Sequence, residues 1–179
     1  SYHPIDISDD DSDDYEFVEI TNNSDLEQDL TGLYFSKLGF SYQFPTGYKL
    51  GPNKSIILAN ESEKFKSLYG FYPFDEFSRN LSNNSEALIL VDAFGNIVDK
   101  VVYDDDLPWP QAADGDGAFL LLSDISSDNM LGENWQPSTD FNNLSVNDKL
   151  DKLKVFLYPN PTKDHTFISV TNGAQIQIL

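Results

Sequence analysis

The chain has 179 residues, and its 30 acidic and 11 basic residues give a formal net charge of −19. Such a charge repels phosphate backbones and anionic lipid surfaces, which excludes nucleic-acid binding as the function of the domain as a whole. The sequence has no cysteine, so disulfides, thiolate catalysis and cysteine-based metal sites are excluded as well. No run of about 18 apolar residues occurs, so no membrane span is expected.

Short apolar segments alternate with turn residues along the chain, at a spacing of about ten residues that is typical of all-β sandwiches and barrels. The 13 Phe and 9 Tyr residues favour strands over helices. A hairpin is predicted around the turn at 93–96. Strands are predicted over 15–21, 30–36, 40–44, 55–59, 87–92, 97–103 and 118–123, and one helix over 63–69.

The alternation of apolar side chains within these strands predicts the core. In the segment 40–44, for example, Phe40, Tyr42 and Phe44 fall on one face, because successive residues of a strand point to opposite sides. A sandwich buries alternate residues of its two sheets, and the aromatic alternation can supply them. The predicted core residues are Val18, Ile20, Leu33, Phe35, Phe44, Ile57, Leu88, Leu90, Val98, Val101 and Leu120.

The composition changes near residue 138. Residues 1–138 form one predicted sandwich, and residues 139–154 are polar and are predicted to be a linker. Residues 155–179 contain further strand-like runs at 155–158, 167–170 and 176–179. The chain stops within the last apolar run and starts without Met, so we expect it to be a piece of a longer protein whose second β domain is cut short.

A series of short motifs in the first 137 residues resembles the lamin tail domains found in bacteria. The opening YHP is followed by an acidic loop and by YEFVEI at 15–20. The segment DLTGLYFS at 29–36 is similar to a segment of the family, except that this chain has Leu33 where the family usually has Trp. The motifs PWP at 108–110, DGDG at 114–117 and NW at 134–135 continue the likeness. The resemblance implies an immunoglobulin-like Greek-key β-sandwich without catalytic residues of its own.

A second resemblance lies near the C-terminus. The run LYPNPTKD at 157–164 is similar to the start of the type A sorting domain of the type IX secretion system, by which Bacteroidota export proteins. The resemblance covers the first strands of that domain. It implies secretion or attachment to the outer-membrane surface, with the type IX secretion machinery as a partner.

Two acidic loops are candidate calcium ligands, because calcium prefers several carboxylate and carbonyl oxygens in a flexible loop. The first contains Asp9, Asp11 and Asp13, and the second contains Asp114 and Asp116. Neither loop satisfies the EF-hand pattern, which needs Gly at the sixth position and Glu at the twelfth. A solvated acidic loop without an ion is the simpler interpretation of each, and calcium is the one cofactor that the sequence suggests.

Other site chemistry has weaker support. Trp109 could present a flat ring that stacks on sugars, although the family resemblance makes it a packing residue that closes the sandwich. His3 and His165 lie in different predicted domains, and no GxSxG motif is present, so no catalytic triad is expected. The run Asp104–Asp106 could supply a carboxylate pair, but a sequence gives no distance between carboxylates.

The sequence therefore predicts a non-catalytic structural or interaction module of a secreted or cell-surface-attached bacterial protein. Its expected partners are another protein or a neighbouring domain at the cell surface, with no nucleic acid and no membrane span. Two alternatives stay open. One is a calcium-dependent or carbohydrate-binding adhesion module, and the other is an accessory domain of a secreted hydrolase or nuclease whose catalytic part lies upstream of Ser1.

Overall fold

The structure, a computed structural model, describes residues 1–7, 11–37 and 39–141, together with three strands near the C-terminus. The chain divides into two compact units, Ser1–Asn147 and Asp148–Leu179. Strands of the first unit are β1 (Phe17–Thr21), β2 (Gln28–Asp29), β3 (Tyr34–Phe35), β4 (Lys49–Leu50), β5 (Ser55–Ala59), β6 (Asp75–Glu76), β7 (Glu86–Val91), β8 (Ile97–Tyr103), β9 (Phe119–Leu122) and β10 (Trp135–Ser138), and its helix is α1 (Ser62–Tyr69). Short 3-10 helices cover Ser12–Tyr15, Gln111–Ala113 and Gly132–Asn134.

One sheet of the first unit has the order β1-β5-β6. β1 and β5 are antiparallel, with Phe17 opposite Ala59 and Thr21 opposite Ser55, whereas β5 and β6 are parallel. Every residue of β5 is buried, as its apolar sequence SIILA predicts for a central strand. β1 is the edge strand of this sheet among the described residues.

A second sheet has the order β3-β7-β8, and the hairpin predicted between β7 and β8 is confirmed. The prediction that Val98 is a core residue is wrong, because its side chain is 55% exposed. Val98 and Val101 are three residues apart, so their side chains point to opposite faces of the strand, and Val101 is the one that packs against the main core. In the register, Asp99 lies opposite Leu90 and Ile97 opposite Val91, so Val98 is also the extra residue of a β-bulge.

Side chains from both sheets meet in one main core. It joins Ile56 and Leu58 of β5 to Leu88 and Leu90 of β7, and the partly buried Val18, Ile20, Leu33, Phe35, Val101 and Leu120 pack against it. Phe40, Tyr42 and Phe44 are buried on one face as predicted. The segment 40–44 is not a continuous strand, however, and forms isolated bridges from Ser41 to Ser78 and from Gln43 to Tyr34.

A second, smaller core lies under the helix predicted at 63–69, which the structure confirms as α1. Phe65 of α1 is fully buried against Phe17 and Phe119, and Phe141 packs on the edge of the same cluster. The helix ends at Gly70, which has φ +84° and donates its N–H to the Lys66 carbonyl. Glycine takes this left-handed conformation at little cost, so it ends helices readily.

Shorter pairings complete the first unit. β2 pairs with β4, and β9 pairs with β10. β10 is not predicted from the sequence, because the segment 135–138 contains Pro137 and lacks apolar alternation. Phe141 contacts Tyr69 and Phe119, so packing of the first unit reaches into the predicted linker. The residues 142–154 lie outside the described part of the chain.

The second unit contains β11 (Phe156–Tyr158), β12 (Phe167–Ser169) and β13 (Gln175–Gln177) in an antiparallel sheet of that order. These strands fall close to the runs predicted at 155–158, 167–170 and 176–179. The regular structure of the described residues is thus mainly strand, with one α-helix of eight residues and short 3-10 helices, in agreement with the predicted all-β class. In the described residues, no helix has the length and apolar character needed to cross a membrane.

Candidate functional sites

The first acidic loop is held by its own carboxylates. Asp11 caps the 3-10 helix Ser12–Tyr15 by accepting the N–H of Asp13 over 3.2 Å. The carboxylate of Asp13 in turn accepts the side-chain amide of Asn80. Asp9, the third predicted ligand of this loop, lies outside the described residues. The structure therefore gives Asp11 and Asp13 local hydrogen-bonding roles.

The second acidic loop is built around a histidine. The Nδ1 atom of His3 lies 2.6 Å from Oδ1 of Asp114, and the Gly115 N–H donates to the His3 carbonyl. Gly115 has φ +79°, and a Cβ at this position would lie 3.2 Å from Cε1 of the His3 ring. Asp116 is exposed on the same loop. The structure thus gives Asp114 a histidine partner, which the sequence could not predict across 111 residues.

Three carboxylates outside these two loops lie close together in the structure. Asp104, Asp105 and Asp106 each offer an oxygen atom within 4.8 Å of the other two, the spacing needed to surround one metal ion. The Asp106 N–H also donates to Oδ1 of Asp104 over 3.0 Å, which fixes the turn. From the sequence, these residues indicate only a possible carboxylate pair for sugar hydrolysis, and the predicted calcium ligands lie in the two other acidic loops.

Tyr2 lies close to both groups of carboxylates. Its ring stacks on Tyr103 with a centroid separation of 4.6 Å, and it is 3% exposed. Its hydroxyl is buried and has no hydrogen-bond partner. Burial, followed by the negative charges of Asp114, Asp105 and Asp104, raises the pKa of Tyr2 to about 12. This hydroxyl is therefore a neutral donor at physiological pH.

Trp109 does not present a ring to solvent. It is 6% exposed and lies against Trp135, with ring centroids 5.8 Å apart. A Cβ added to Gly132 would come within 3.0 Å of the Trp109 ring, so the backbone packs closely on it. A sugar needs an exposed aromatic face, so the prediction of Trp109 as a stacking platform is replaced by a packing role.

Glu16 is a buried ionisable group that the sequence did not single out. It is 0% exposed, and its Oε2 accepts the Leu81 N–H over 2.8 Å and the Asn60 amide over 3.5 Å, whereas Oε1 has no partner. Burial is the largest cause that raises the pKa of Glu16 to about 8. Glu16 lies between Tyr15 and Phe17, so strand alternation predicts that its side chain points to the other face and into solvent. No pattern in the sequence therefore indicates its burial.

Comparison with known proteins adds the decisive observation. The family described as Lamin Tail Domain matches residues 4–105, more than half of the chain. The chain belongs to the lamin tail domain family. No curated protein and no solved structure matches the chain significantly.

The family explains the architecture around these groups. A lamin tail domain is an immunoglobulin-like β-sandwich, and the strands β1 to β8 lie within the matched residues. At the position where the resemblance implies Trp, Leu33 is partly buried and packs against the main core. Beyond residue 105, the pair Trp109 and Trp135 belongs to the same packed unit, although the family match ends before it.

Proposed function

We propose that this lamin tail domain is a non-catalytic interaction module of a protein that a bacterium secretes or holds on its outer surface. The family match over residues 4–105 carries the proposal, because the surface loops of an immunoglobulin-like sandwich are available for binding another protein. The partner would be another protein or a neighbouring domain. The net charge of −19 favours a partner with a basic or neutral surface.

The His3–Asp114 pair matches only part of a catalytic triad. Asp114 holds the imidazole, as the carboxylate of a triad does, but a triad also needs a nucleophile hydrogen-bonded to the second ring nitrogen. The alternative is that this module is the accessory domain of a secreted hydrolase or nuclease. The catalytic residues would then lie in a part of that protein upstream of Ser1.

The proposed location rests on the run YPNPT at 158–162, whose resemblance to a type IX sorting signal implies export. Cells of the native host can be treated with an external protease, and the module followed with an antibody. We expect the protease to degrade the module as fast in intact cells as in lysed cells. In the intact cells, a cytoplasmic marker should not be degraded. Protection of the module in intact cells, followed by cleavage after lysis, would contradict a surface location.

A second candidate is calcium-dependent binding, and the convergence of Asp104, Asp105 and Asp106 favours it. Hard cations bind clusters of carboxylate oxygens, and an ion bound to the folded state raises the melting temperature by mass action. We expect millimolar calcium to raise the melting temperature of the chain and to leave that of Asp105→Asn unchanged. Asp116→Asn is the matched control from the other acidic loop and should keep the shift.

The outcomes of the calcium titration separate the two loops. A shift that disappears in Asp116→Asn, and persists in Asp105→Asn, would place the ion in the loop predicted from the sequence. Equal melting temperatures with and without calcium would reject a calcium site in the folded module.

A further inference from the structure

The hydroxyl of Tyr2 is a buried polar group that makes no hydrogen bond within the protein. Tyr2 is 3% exposed, and its hydroxyl oxygen has no hydrogen-bond partner in the part of the chain that the structure describes. A buried hydroxyl without a partner destabilises a fold, because it gives up its hydrogen bonds to water and gains none in return. Such a group therefore points to a bound ligand or an ordered water molecule as its partner.

The contacts of Tyr2 place this hydroxyl among carboxylates. The Tyr2 ring stacks on Tyr103, the residue directly before the cluster Asp104–Asp106. The next residue, His3, has its Nδ1 atom 2.6 Å from Oδ1 of Asp114. After burial, the largest influences on the pKa of Tyr2 are the charges of Asp114 and of two carboxylates of the cluster, and all of them raise it. The hydroxyl thus lies beside the carboxylates that converge in the turn after β8.

A calcium ion held by these carboxylates offers the partner that the hydroxyl needs. Calcium takes six to eight oxygen ligands, and Asp104, Asp105 and Asp106 each offer one oxygen atom within 4.8 Å of the others. About three to five positions are then left for other ligands, including water. A water molecule bound to the ion can donate a hydrogen bond to the Tyr2 oxygen.

The protonation state of Tyr2 favours this contact over direct binding to the ion. The pKa of Tyr2 is raised to about 12, first by burial, so the hydroxyl keeps its proton at physiological pH. A neutral phenol is a weaker ligand for a hard cation than a carboxylate is. Its oxygen can accept a hydrogen bond from a calcium-bound water, while its O–H donates to a carboxylate oxygen.

We propose that Tyr2 is a positioning residue of a calcium site at Asp104–Asp106, where its hydroxyl holds a water molecule of the calcium coordination shell. This inference rests on the second candidate function, calcium binding by the three carboxylates, and adds to it a residue from a distant segment. Because Tyr2 is followed by His3, which contacts Asp114, the bound ion links the segment at 2–3 to the turn after β8. Tyr2 strengthens calcium binding without touching the ion.

Tyr2→Phe tests the proposal, because it removes the hydroxyl and keeps the ring that stacks on Tyr103. Calcium affinity is measured by isothermal titration calorimetry on the full chain at constant ionic strength, which keeps the diffuse attraction of cations to the acidic surface equal in all samples. We expect Tyr2→Phe to bind calcium about tenfold more weakly than the wild type, as for the loss of one hydrogen bond at a charged site.

The same variant should behave in the opposite way without calcium. Tyr2→Phe no longer buries an unpartnered hydroxyl, so its melting temperature in a calcium chelator should equal that of the wild type or exceed it by a few degrees. A residue that serves the fold alone would give a lower melting temperature and unchanged calcium affinity. That result would overturn the proposal.

Tyr42→Phe is the matched control, because Tyr42 is also buried but its hydroxyl donates to Oδ2 of Asp75 over 3.0 Å. This variant should melt below the wild type and bind calcium with unchanged affinity. If Tyr2→Phe binds calcium as tightly as the wild type, the role of Tyr2 is wrong while the calcium site stands. If the wild type itself binds no calcium in the titration, the calcium site and the role of Tyr2 are both wrong.

Discussion

Replacing Glu16 by Gln stabilises the module at neutral pH and has almost no effect near pH 4. Glu16 is fully buried, and burial raises the pKa of its carboxyl group from 4.5 to about 8. The folded protein therefore keeps a proton on Glu16 that the unfolded chain releases between these two pH values. Gln has nearly the same shape and carries no ionisable proton, so it does not lose stability over this range.

The direction of the pH dependence follows from proton linkage. A group whose pKa is higher in the folded state contributes its full stability below the unfolded pKa and loses it as the pH rises through the folded pKa. The wild-type chain should lose about 1.4 kcal/mol per pH unit relative to Glu16→Gln between about pH 4.5 and pH 8. At pH 7 this difference is about 3 kcal/mol, a large part of the stability of an ordinary domain.

Urea unfolding of both proteins at pH 4.5, 6 and 7.5 measures this difference. Other carboxyls, such as Asp29, Asp92 and Asp124, whose hydrogen bonds lower their pKa, are present in both proteins, and their contributions cancel. Glu61→Gln, at an exposed site beside α1, is a matched control that should follow the wild type. Stability curves of wild type and Glu16→Gln that stay parallel over this pH range would show that Glu16 is ionised in the folded protein.

Replacing Trp109 by Ala should destabilise the module by about 3–5 kcal/mol. Trp109 is buried against Trp135, and the backbone at Gly132 approaches its ring closely, so removal of the indole leaves a cavity that the surrounding backbone cannot easily fill. Trp135 would lose its stacking partner while keeping the hydrogen bond from its Nε1 to the Asn129 carbonyl over 3.0 Å. Chemical unfolding measures the loss.

The control for Trp109→Ala is Phe94→Ala, because Phe94 is an aromatic residue that is 91% exposed in the turn between β7 and β8. This second variant should change stability by less than about 0.5 kcal/mol. A sugar-binding platform would give the opposite pattern, with unchanged unfolding of Trp109→Ala and lost binding on a glycan array. That pattern would contradict the packing role of Trp109.

Local patterns predicted much of the fold. The apolar run SIILA predicted β5, the turn at 93–96 predicted the β7-β8 hairpin, and the alternation of Phe40, Tyr42 and Phe44 predicted their common buried face. These features depend on residues close together in the chain. Strands such as β2, β4 and β6 are two residues long, and their partners determine them more than their own sequence does.

The candidate sites were harder to predict, because they depend on contacts between distant residues. The contact between His3 and Asp114 spans 111 residues, and Ser1 pairs with Phe17 through backbone atoms that carry no sequence signal. Glu16 is buried where alternation predicts exposure, since Leu81 and Asn60 approach it from distant segments. Val98 is exposed because it points to the face of the strand opposite that of Val101.

The central proposal is that this lamin tail domain is an interaction module on the outer surface of a bacterium. Treatment of intact cells with an external protease tests the proposed location most directly. We expect the module to be degraded in intact cells while a cytoplasmic marker stays intact. Protection of the module until the cells are lysed would contradict the proposal.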